Sequence, residues 1–216
     1  LHLRLRRQRQ MCISDSNMTA QKTTHLSQLL QDRLNQLPPE IIKNLRSLSS
    51  SPNGNPTNLS DLNNLQQSVC VVRILKEWNT KKNVFTSNRK FLHTYRFLVY
   101  YVLTQIVAVC QHFLQNYLEL EKKLAIDQVN IQYGELELSG YKKSDNSSVK
   151  TAKKLLGQLN RVVESSIRDG LNNTTFLKQR RSEVNLLVEL CLAKNIDSSK
   201  ISRVIDSYLN NCLLYT

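Results

Sequence analysis

Apolar residues recur at intervals of three and four along most of the chain. Leu26, Leu29, Leu30, Leu34 and Leu37 share one helical face, and Pro38-Pro39 stops that helix. Pro39 then sits where a first helical residue belongs, and Ile41, Ile42, Leu45 and Leu48 line a second short helix. Residues 50–58 carry Pro52, Gly54 and Pro56 with no apolar residue, which is linker chemistry. Beyond it, Ser60 and Asp61 mark a helix start, and Leu62, Leu65, Val69 and Val72 continue one stripe to about Trp78.

Ser87 or Asn88 opens a long helix that the pattern carries to about Leu124. At 1.5 Å per residue it is on the order of 50 Å long. Its middle, 97–114, is apolar on every side, as expected of a helix that others surround. The same stretch is the one candidate for a membrane span, but Thr104, Gln105, Gln111 and His112 interrupt it, and the buried helix is the favoured reading. Then the period changes: Val129, Ile131 and Tyr133 alternate with polar residues, as do Leu136 and Leu138 after Gly134, which predicts a short β-hairpin over 129–138.

In the last third, Val149, Ala152, Leu155, Leu156, Leu159, Val162, Val163 and Ile167 form a stripe that Gly170 ends. Thr174 or Thr175 starts a helix with Leu177, Val184, Leu187, Val188 and Cys191 inward. Asp197 caps a final helix carrying Ile201, Val204, Ile205, Tyr208, Leu209 and Cys212. The expected architecture is an all-α helical bundle with one long central buried helix and one short hairpin. Its expected units are a basic, disordered arm at 1–22, a helical hairpin at 23–49, a linker at 50–58 and the bundle at 59–216.

The chain has 216 residues, is 40% hydrophobic, and carries a formal charge of +13 from 30 Lys and Arg against 17 Asp and Glu. That is enough apolar material for a core, and the 5 Gly and 4 Pro disfavour a turn-dense β-sandwich. The 5 Cys are an odd number, and no apolar run follows the arginines near the start, so a secreted disulfide framework is not expected. The expected location is intracellular.

Candidate chemistry is sparse. His2, His25, His93 and His112 do not fall at metal-ligand spacing, no CxxC or HExxH occurs, and no cofactor is implied. Arg89 and His93 stand one turn apart, closer than the Arg and His of helical ribonuclease modules of the HEPN type, so a nuclease reading fails on spacing. Glu119, Glu121, Glu135 and Glu137 are the one acidic cluster, explained by a solvated helix end. An enzyme is not expected.

Charge placement is more informative. Lys81, Lys82, Arg89, Lys90 and Arg96 lie in a stretch, 80–110, without a single acid. A second basic block spans 141–170, whereas 111–140 is net acidic. Three predicted helices begin with cations: Arg89 and Lys90; Lys150, Lys153 and Lys154; Lys178, Arg180 and Arg181. A base near a helix start costs about 0.3–1 kcal/mol, whereas a phosphate there meets free N–H groups, the dipole and the cations together. Trp78, Phe85, Phe91 and Tyr95 interleave with the first block, which suits unstacked bases.

The expectation is a non-catalytic basic subunit of a larger nucleoprotein complex that grips a nucleic-acid backbone without sequence specificity, single strands or RNA being favoured. Its expected contacts are Lys81, Lys82, Arg89, Lys90, Lys150, Lys153, Lys154, Lys178, Arg180 and Arg181. The alternatives are a protein-interaction adaptor working through residues 26–48, which carry too little core to stand alone, or a membrane-associated subunit using 97–114.

Overall fold

The computed structural model describes residues 29–30, 32–35, 64–80, 89–132, 146–168 and 175–211. The expected basic arm at 1–22, most of the expected helical hairpin at 23–49, the expected linker at 50–58, and Lys81 and Lys82 lie outside the described residues. What is described is an all-α bundle. Five helices follow in order: α1 (Asn64–Thr80), α2 (Arg89–Gln132), α3 (Ser147–Arg168), α4 (Thr175–Leu192) and α5 (Ser198–Asn211). Helical turns at 29–30 and 32–35 add a sixth element.

The long helix α2 is the axis of the assembly. Leu98, Val99, Tyr101, Val102, Leu103, Ile106, Val107 and Cys110 are all buried, whereas Phe97, Tyr100, Thr104, Ala108 and Gln111 along one side are half-buried. Burial over so wide an arc needs neighbours on several sides. The helix has them: α1, α3, α4 and α5 each pack against it. Polar residues within its apolar run are used as ties. The Tyr101 hydroxyl donates to Gln67 Oε1 of α1 at 2.5 Å, and the Thr104 hydroxyl pairs with the Tyr208 hydroxyl of α5 at 3.2 Å. Gln105 is buried, and His112 is exposed beside Asn116.

Residues 129–132, expected as the first strand of a hairpin, are instead the last turn of α2. Residues 133–138 lie outside the described residues, and no strand occurs among those described. Three alternating positions are too few to compete with an established helix, because propagation gains one hydrogen bond per residue fixed whereas a new element must first be nucleated.

α3 and α4 form an antiparallel pair whose register is fixed by three cross-helix contacts. Lys153 meets Glu189 at 2.8 Å, Asn160 Nδ2 donates to Asn185 Oδ1 at 3.1 Å, and Arg181 pairs with Glu164. The inward stripe of α3 is as expected, with Val149, Ala152, Leu155, Leu156, Leu159 and Val163 buried. Asp197 caps α5, its carboxylate accepting from the Lys200 N–H at 2.9 Å.

Leu30 and Leu34 belong to the same buried core as α1–α5, and Arg33 lies over the Phe97 ring at 5.7 Å. The bundle therefore covers Leu30 and Leu34 of that leucine face. The described residues contain one helix long and apolar enough to cross a membrane, Leu92–Asp127. Its apolar middle is the part enclosed by the other four helices.

Candidate functional site

The expected cationic contacts separate into three groups once placed on the helices. Arg89 and Lys90 stand at the first turn of α2, with side chains outside the described residues. Lys150, Lys153, Lys154 and Lys178 are exposed. Arg180 and Arg181 are not: they keep 3% and 7% of their surface.

Each of the two arginines is held by an acid. Arg180 Nη1 donates to Glu183 Oε2 at 2.6 Å within α4. Arg181 crosses to α3, its Nε donating to Asn160 Oδ1 at 2.9 Å and its Nη2 to Glu164 Oε1. The Arg181 hydrogen bond, aided by its charge and those of Lys178 and Arg168, holds the Glu164 carboxyl below its usual range. Their helical position explains the burial. Residues 177, 181, 184, 188 and 191 form one stripe at alternating four- and three-residue spacing, and 180 lies beside it. Both arginines are buried and paired with an acid, and Arg181 ties α4 to α3.

The aromatic residues divide similarly. Trp78 and Tyr95 are buried and pack edge to face, with ring centroids 5.7 Å apart and planes at 74°. Neither presents a face to an unstacked base. Phe85 lies outside the described residues, as does the side chain of Phe91.

What the outer surface of α3 does present is a row of cations. Lys150, Lys154, Arg161 and Arg168 are exposed and separated by four, seven and seven residues. Those spacings keep all four within a narrow sector of the helix opposite its buried stripe. The row is about 27 Å long at 1.5 Å per residue. The one acid in α3, Glu164, is turned to Arg181 on α4. Lys153, one position off the row, is drawn to Glu189. Among the described residues, no acid pairs with any of the four row residues. Arg161 instead rests its Nε on the Gly157 carbonyl at 3.4 Å. Lys178 of α4 and Arg168 both act electrostatically on Glu164.

Arg161 and Arg168 were absent from the expected contacts because those were gathered from helix starts. The signal that finds them is the four-seven-seven spacing from Lys150. The basic starts of α3 and α4 do not converge: the two helices are antiparallel, so Lys150 and Lys178 stand near opposite ends of the pair.

Other chemistry is sparse here. No group of three or more His, Cys, Asp or Glu side chains that could hold a metal occurs among the described residues. Glu119 pairs with Lys122 at 3.3 Å, both exposed, and Glu135 and Glu137 lie outside the described residues. No protein-family model, curated protein or solved structure matches the chain.

Proposed function

We propose that this chain is a non-catalytic, intracellular helical subunit of a nucleoprotein assembly that grips a nucleic-acid backbone with the outer face of α3. The observation that carries the reading is the row Lys150, Lys154, Arg161 and Arg168, exposed and without an acidic partner among the described residues. Cations gathered on one face without an ion-pair partner raise self-repulsion, whereas a polyanion laid along them releases its counterions on contact. Lys178 and the start of α2 at Arg89 and Lys90 extend the basic surface. The α3 contacts are backbone contacts, so they supply affinity without sequence readout.

Trp78 and Tyr95, being buried, offer no platform to an unstacked base, and the reading rests on backbone contacts that favour neither strand form. The row is tested by the double charge reversal K154E/R161E. Both positions are exposed, so thermal stability changes little, and affinity falls for all sequences alike. An unaltered affinity in a folded variant rejects α3 as the contact.

A further inference from the structure

The one acid of α3 stands at the border of its cationic row. Glu164 lies one turn after Arg161 and one turn before Arg168, about 60° and 40° round the helix from them. A Glu four residues ahead of an Arg is the favoured order for an ion pair along a helix, and the three-residue spacing from Arg161 also allows one. Among the described residues neither pair is formed. Glu164 instead accepts from Arg181 Nη2 of α4 at 2.5 Å, while Arg161 turns its Nε back to the Gly157 carbonyl.

The edge of α3 that faces α4 explains this choice. Lys153, Asn160 and Glu164 share that edge, and each is tied across it: Lys153 to Glu189, Asn160 to both Asn185 and Arg181, and Glu164 to Arg181. The Arg181 side chain is 9% exposed and that of Glu164 is 52% exposed. The guanidinium is therefore the fixed partner, and the carboxylate is the one with room to turn.

We propose that Arg181 is a positioning residue for the α3 row, a role that rests on the reading of α3 as the nucleic-acid contact: by holding Glu164 toward α4 it keeps the carboxylate off Arg168 and Arg161 and leaves both to phosphates. A carboxylate turned onto Arg168 would have to be displaced before a phosphate could bind there, and its charge would oppose the approach of a polyanion. Arg181, deep in the bundle, acts through Glu164 and not by a contact of its own.

The test is an anisotropy salt series with labelled single-stranded RNA and duplex DNA on the full chain and its variants, each checked for its thermal midpoint. Arg181→Met, which releases Glu164 to the row, is expected to lower affinity near physiological salt about fivefold and the salt slope by about one contact's worth. Adding Glu164→Gln removes the released charge and restores both, a rescue that a merely structural role for Arg181 would not show. Arg181→Lys, which keeps a cation against Glu164, stays near the wild type. Glu164→Gln alone leaves the slope unchanged, because the carboxylate is already withheld from the row, and this arm decides even where Arg181→Met does not fold. A wild-type slope in folded Arg181→Met, no rescue by the second substitution, or a steeper slope in Glu164→Gln alone overturns the proposal. Where K154E/R161E still lowers the slope, only the role of Arg181 falls; where K154E/R161E leaves it unchanged, the reading of α3 falls and the role of Arg181 with it.

Discussion

Arg181 on α4 is more than nine-tenths buried, yet the carboxylate that neutralises it, Glu164 on α3, is half exposed. The two ends of this ion pair therefore answer differently to mutation. Removing Glu164 leaves a buried guanidinium tied to Asn160, with Nη1 already lacking a hydrogen-bond partner. Removing Arg181 leaves a carboxylate that water can reach.

Glu164→Ala is therefore expected to lower stability by about 2–3 kcal/mol, because it strands a buried charge. Arg181→Met, which fills similar space without charge, is expected to cost about 1 kcal/mol or less. Urea denaturation of both variants checks the asymmetry. Equal losses would mean that the guanidinium is better solvated than its burial implies. Because the folded carboxyl of Glu164 titrates below its unfolded value, its stabilisation is present above the usual carboxylate range and lost as pH falls through the folded value. Glu164→Gln should flatten that part of the acid limb slightly, since the exposed side of the pair is screened.

Tyr95 and Tyr101 set the alkaline limit. Burial pushes both phenols up to about 12. A raised folded value means that the stabilisation is complete below the ordinary tyrosine range near 10 and is lost as pH rises towards 12. Absorbance titration of tyrosinate should therefore show Tyr95 and Tyr101 ionising together with loss of the fold. Trp78, the one tryptophan, packs on Tyr95 and reports that loss by fluorescence. Reversible ionisation of all eight near pH 10 with Trp78 still buried would contradict it.

The α5 cap offers a local check. Asp197→Ala removes the acceptor for the Lys200 N–H and should cost about 1 kcal/mol, read as a lower thermal midpoint. Asp197→Asn keeps the acceptor and should recover most of it. Equal losses from the two would show that negative charge, rather than the hydrogen bond, is what the helix start needs.

Much of this architecture was legible along the chain. The stripe from Val149 to Val163, the cap at Asp197 and the all-round apolar run of α2 are periodic or chemical signals that need no partner to be recognised. Three features were not. Val129 and Ile131 resemble a strand locally, and only the momentum of a helix already dozens of residues long keeps them helical. Arg180 and Arg181 looked like surface cations because charge was read by position near a helix start; their register with Leu177 and Val184 carried the opposite message. Which surface Leu30 and Leu34 would cover could not be known either, since an amphipathic stripe states that it needs a partner and not which one. On α3, the cations at the helix start were legible, whereas the row emerged only when Arg161 and Arg168 were placed on the same outer face.

Fluorescence anisotropy with labelled single- and double-stranded RNA and DNA across a salt series tests the central claim most directly. The wild-type chain should bind with log affinity falling linearly with log salt, at a slope of roughly 0.7 per phosphate contact for single strands and 0.9 for duplex. K154E/R161E should reduce that slope by about two contacts' worth while its thermal midpoint stays near that of the wild type. Binding that is absent near physiological salt, or a slope that the double reversal leaves unchanged, would contradict a backbone-gripping α3.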